Sequence, residues 1–132
     1  MLRGECINGR WSYLVKEALP DGEIVSSVGT ADYQGSVAIV ARLDDGRWLH
    51  YSWSYGSCSH CDSWEEQDKD IVKQEISKGA AILDRDAFLR YIVSAADSDA
   101  GWLAALRGKE SWIYEEKVGL DYNGLLDKVV SG

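Results

Sequence analysis

Asp44-Asp45-Gly46 separates two runs of alternating side chains, and this arrangement limits the possible folds more than any other feature of the chain. Asp-Gly supplies the positive φ that a tight reversal between antiparallel strands requires. Upstream, residues 36–43 place Val37, Ile39, Ala41 and Leu43 on one side. Downstream, residues 47–55 set Leu49, Tyr51, Trp53 and Tyr55 against Trp48, His50, Ser52 and Ser54. The stretch 24–30 alternates more modestly and precedes them, so three consecutive strands form an antiparallel meander.

Helical spacing governs the rest. Trp11, Leu14, Val15 and Ala18 fall on one face of a helix that begins near Asn8 and stops before Pro20. Ser63 and Glu66 have capping-box spacing, and Glu65, Glu66, Asp68 and Asp70 place negative charge at the positive end of a helix running to about Lys78, with Gly79 as its stop. Residues 80–83 are short enough for a fourth strand. Asp84 then caps a helix striped by Phe88, Leu89, Ile92, Val93 and Ala96. Trp102, Leu103 and Leu106 mark a short helix ended by Gly108, residues 111–117 read as extended, and Asp121 opens a last helix carrying Leu125, Leu126, Val129 and Val130. The expected fold is α+β: an antiparallel three- to four-stranded meander with helices packed on one face, in a single domain spanning 1–132.

Composition narrows the function classes. The net charge is -8 and the 14 Lys and Arg residues are scattered, whereas nucleic-acid binding needs clustered cations to neutralise phosphates. No apolar run is long enough for a membrane span or a signal peptide, and the three cysteines are an odd number for a secreted disulfide framework. A cytoplasmic protein that binds neither nucleic acid nor membrane is expected. Phosphate-loop and serine-nucleophile motifs are absent, and both histidines lie close to the cysteines, so a hydrolase triad elsewhere has no base. No catalytic residue is singled out. A small-molecule pocket between sheet and helices is left open, because composition does not reveal one.

Cys58-Ser-His-Cys61 admits three readings. Two small buried thiols filling a turn is the first. The second is zinc, the one cofactor the sequence suggests, with Cys58, Cys61 and His50 as ligands and Cys6 or Asp62 completing the set. The third is thiol exchange. The spacing, with His60 in third place, is similar to the active site of thioredoxin-like disulfide oxidases, which implies Cys58 as nucleophile and Cys61 as resolving thiol. That family carries a proline downstream of the pair, whereas the single proline here, Pro20, precedes it.

Aromatic residues crowd the same region. Trp48, Tyr51, Trp53, Tyr55 and Trp64 follow one another, with Tyr33 at the preceding turn. About half should be core, and the outward ones, Trp48 with His50, should form an exposed patch of the kind enriched at protein interfaces. Tyr33, Trp48, His50, Tyr51, Trp53, Tyr55 and Trp64 are therefore the expected binding residues. The run Asp32-Tyr-Gln-Gly35 with Tyr55-Gly-Ser-Cys-Ser-His-Cys-Asp62 and Trp64 resembles small uncharacterised proteins of actinobacteria and their bacteriophages that carry a Tyr-Gly-Ser-Cys-Ser-x-Cys-Asp stretch. The resemblance implies a phage-related accessory protein. The function expected is a protein-binding module that engages a host or phage protein, with a zinc-supported fold and a thiol oxidoreductase as the alternatives.

Overall fold

A computed structural model describes residues 1–30, 35–56, 64–98, 100–109 and 114–132. In chain order its elements are β1 (Leu2–Arg3), α1 (Ser12–Ala18), β2 (Gly22–Gly29), β3 (Gly35–Leu43), β4 (Trp48–Tyr55), α2 (Lys69–Gly79), β5 (Ala81–Leu83), α3 (Arg85–Asp97), α4 (Gly101–Leu106), β6 (Glu116–Gly119) and α5 (Tyr122–Ser131).

The turn at Asp44-Asp45-Gly46 closes as its residues require. Leu43 N–H donates to Arg47 O over 2.8 Å and Gly46 takes φ 92°. From this closure the register of β3 on β4 follows, with Ala41 opposite Leu49, Ile39 opposite Tyr51 and Val37 opposite Trp53. β2 pairs antiparallel with β3 and completes the meander, and β5 pairs antiparallel with the first three residues of β4. Two short strands extend the sheet beyond the meander. β1 runs parallel to the start of β2 at Leu2 and Gly22, and β6 runs antiparallel to its end, so they share one edge of β2. β6 lies at the end of the stretch expected to be extended, whose residues 111–113 fall outside those described.

Helices pack on both faces of this sheet, so it separates two cores. Val37, Ile39, Ala41, Leu49, Tyr51, Trp53 and Tyr55 meet Val15 of α1 and Val72 and Ile76 of α2 on one face. Ala38, Val40 and Trp48 meet Phe88 and Ile92 of α3, Trp102 and Leu103 of α4, and Leu125 and Val129 of α5 on the other. The run Val37–Ala41 is apolar at every position, the pattern of a central strand covered on both sides. The exposed patch expected at Trp48 and His50 is therefore corrected: Trp48 is 0% exposed and His50 8%. At these two positions, pointing away from one core means pointing into the second.

Carboxylates set the helix starts. Asp68, Asp84 and Asp121 accept from the N–H groups of Asp70, Ala87 and Gly124, each over 2.8 Å, and satisfy donors that the first turn leaves unpaired. α2 thus begins at Lys69 behind Asp68, later than the capping box anchored on Ser63 suggests; Ser63 itself lies outside the described residues. Replacing Asp84 by alanine is expected to lower stability by about 1 kcal/mol. A urea titration of D84A with an unchanged midpoint would show that the cap contributes nothing.

Candidate functional site

Cys58, His60, Cys61, Asp62 and Tyr33 lie outside the described residues, but the chain on both sides of the cysteine segment is described. β4 delivers Tyr55 and Gly56 to its near side, and Trp64 and Glu65 follow it. Arg10 and Trp11 meet both flanks. The Arg10 guanidinium donates to Gly56 O over 3.5 Å and lies 3.2 Å from the Glu65 carboxylate. Trp11 packs edge to face on Trp64, with centroids 6.2 Å apart. The strand below is tied to the same place, because Trp53 Nε1 donates to Arg10 O over 2.8 Å and Tyr55 OH donates to Thr30 O over 3.0 Å.

Trp11 is the one described non-glycine residue with positive φ, at 74°. A bulky side chain in left-handed backbone costs about 1–2 kcal/mol. Its ring contacts offset this cost. Besides Trp64, the Lys69 ammonium sits 4.1 Å from the ring centroid and the Arg10 guanidinium 5.1 Å, both in cation–π range. Trp64 is held in turn by Glu75, which accepts from its Nε1 over 3.1 Å. Both indoles stay partly exposed. Helical periodicity places Trp11 on the apolar face of a helix beginning near Asn8; α1 begins only at Ser12, with Trp11 as its cap, and the ring still packs against that core, but no sequence signal marks its backbone or its pairing with Trp64.

The expected binding residues separate into groups. Tyr51, Trp53 and Tyr55 belong to the core under α1 and α2, where burial first, and Glu75 second, push the Tyr51 phenol up to about 12. Trp48 and His50 belong to the other core. Trp64 remains partly at the surface, and Tyr33 lies outside the described residues.

His50, an expected zinc ligand, sits in the second core. Its Nδ1 lies 2.7 Å from Tyr91 OH, its ring stacks on Trp102 at 3.9 Å, and its Nε2 is buried without a partner. Burial lowers its pKa to about 4. β4 carries this imidazole five positions back from Tyr55 and on the sheet face opposite Tyr55, Trp53 and Arg10. Cys6, the other expected ligand among the described residues, is partly buried, and desolvation raises its thiol pKa despite the opposing influence of Lys16. Among the described residues no group of three or more His, Cys, Asp or Glu side chains gathers as a metal site. Among them, too, no helix is long and apolar enough to cross a membrane.

No family model, curated protein or solved structure matches the chain.

Proposed function

We propose that this chain is a protein-binding module, acting in a host cytoplasm, which engages a protein partner at the end of the sheet where Arg10, Trp11, Trp64 and Lys69 flank the cysteine segment. The observation that carries this reading is the Trp11–Trp64 pair. Two indoles are kept partly exposed, one of them in costly left-handed backbone, and cations and carboxylates stand around them. Such an arrangement, large rigid aromatic surface rimmed by charge, is what protein interfaces use for their dominant contacts. The excess of negative charge favours a protein partner over nucleic acid, and the resemblance drawn from the Tyr55–Trp64 run points to a host factor.

Trp64→Ala is the informative change, because the ring is partly exposed at the margin of one core and its loss should leave the fully buried residues of both cores in place. Immobilised wild-type protein should retain a discrete partner from host extract, and W64A should bind that purified partner at least tenfold more weakly, as expected when an anchoring aromatic is removed. Equal affinity of wild type and W64A, with unchanged circular dichroism, would remove the basis for the proposal.

A further inference from the structure

We infer that the second half of β4 is a docking edge, where an extended, neutral-to-basic peptide segment of a partner protein adds antiparallel to β4 in line with β5. This deepens the protein-binding reading above and rests on it.

The argument starts from backbone direction. In an antiparallel ladder the N–H and C=O of one residue point to the same neighbour, and successive residues alternate. Leu43 N–H donates to Arg47 O, and Thr30 N–H donates to Ser36 O. The odd residues of β3 therefore face β4 and the even ones face β2. Through the register Ile39 to Tyr51 and Val37 to Trp53, the backbone groups of Tyr51 and Trp53 are used by β3. Those of Trp48, His50, Ser52 and Ser54 must point to the opposite edge. β5 covers the first two, with Leu83 opposite Trp48 and Ala81 opposite His50. There it stops, because α2 ends at Gly79 and only its cap, Ala80, lies between the helix and Ala81. Among the described residues no backbone group pairs with Ser52 or Ser54 on that side.

Among the described residues the edge is unprotected as well as open. Exposed edges are ordinarily blunted by lysine, proline, a bulge or a covering strand. Here Ser52 and Ser54 are exposed and uncharged, and Ser54 Oγ merely shares a 2.8 Å hydrogen bond with Ser36 Oγ. The opposite edge of the sheet is treated differently, since β1 and β6 together cover β2. Two outward N–H donors and two outward C=O acceptors, spaced two residues apart, fit one ligand chemistry: an extended polypeptide. Charge selects among extended polypeptides. A second copy of this chain would bring another net charge of -8, and Glu75, which accepts from Trp64 and sits near enough to Tyr51 to raise its pKa, adds a carboxylate near the residue that precedes this half of the strand. A neutral or basic segment is favoured.

The test is a random heptapeptide display library selected against the whole protein, followed by titration of the enriched synthetic peptides. Enriched peptides should be neutral or basic. They should lose at least tenfold in affinity for Ser52→Pro, which deletes an outward N–H and leaves the bonds to β3 intact. N-methylation of alternate peptide amides should have the same effect on wild-type protein, so the result does not depend on the variant folding. Hydrogen exchange should show the Ser52 and Ser54 amides open in the free protein and protected once peptide is bound. Protection of both amides without peptide, or affinity indifferent to S52P and to N-methylation, overturns the docking edge. So does a dimer in sedimentation that S52P abolishes, because the occupant is then a second copy. If partner binding is lost in W64A but kept in S52P, the edge falls and the binding module stands. If neither variant affects it, both fall.

Discussion

Trp48→Ala is expected to destabilise the protein by about 3–5 kcal/mol, the range for emptying a fully buried aromatic site. The indole is 0% exposed and stacks on Phe88 at 5.8 Å, with α3 above it and the sheet below, so nothing can move in to fill the void. Trp48→Phe should behave differently. The Nε1 donor of Trp48 is buried without a partner, and leaving such a group unsatisfied costs about 1–3 kcal/mol. Phenylalanine loses some packing but removes that donor, and the two effects oppose each other. W48F should therefore lie within about 1.5 kcal/mol of wild type, provided the ring repacks without strain. Urea denaturation followed by far-ultraviolet circular dichroism separates the cases. A loss below about 1 kcal/mol in W48A would return Trp48 to the surface, where strand alternation alone would put it.

Acidification is expected to weaken the fold through His50. The imidazole is neutral in the folded protein because burial lowers its pKa to about 4 from the usual 6.5. Above pH 6.5 it is neutral whether the chain is folded or not, and its titration contributes nothing to the balance. As pH falls below 6.5 the unfolded chain takes up a proton that the folded chain refuses, so stability declines by about 1.4 kcal/mol per pH unit until the folded site also protonates near pH 4. The total loss is about 3 kcal/mol. Protonation would also put a charge between the Trp102 ring and Tyr91, where Nδ1 meets the phenol and Nε2 has no acceptor. His50→Phe keeps a flat ring on Trp102 and has nothing to titrate. Between pH 7.5 and 4.5 wild type should lose most of this stability, and H50F only what the carboxylates contribute. Parallel pH profiles for the two proteins would show that His50 is not the group responsible.

Much of the fold was legible in local chemistry. Asp44-Asp45-Gly46 marked the hairpin, Asp84 and Asp121 marked helix starts, and the stripe of Phe88, Ile92 and Ala96 marked the buried side of α3. The short strands β1 and β6 were harder to read because they have two and four residues and owe their conformation to the edge of β2 rather than to any pattern of their own. The candidate site was legible only in part. Trp64 stands out by its position beside the cysteines, whereas Arg10 and Trp11 come from a loop more than forty residues earlier. They reach the site because the Trp53 indole holds Arg10 O and the Trp64 indole packs on Trp11.

The sequence by itself determined which side chains share a strand face and where the chain turns, because a two-residue period and Asp-Gly chemistry are local properties of the backbone. It did not determine which face meets water. Trp48 and His50 alternate with Tyr51 and Trp53 whether the second face is bare or covered, and only the arrival of α3, α4 and α5 from distant parts of the chain buries them. The same holds for the open half of β4. Serine at 52 and 54 is compatible with a paired or an unpaired strand, and among the described residues it is the end of α2 at Gly79, leaving β5 only three residues, that decides between them.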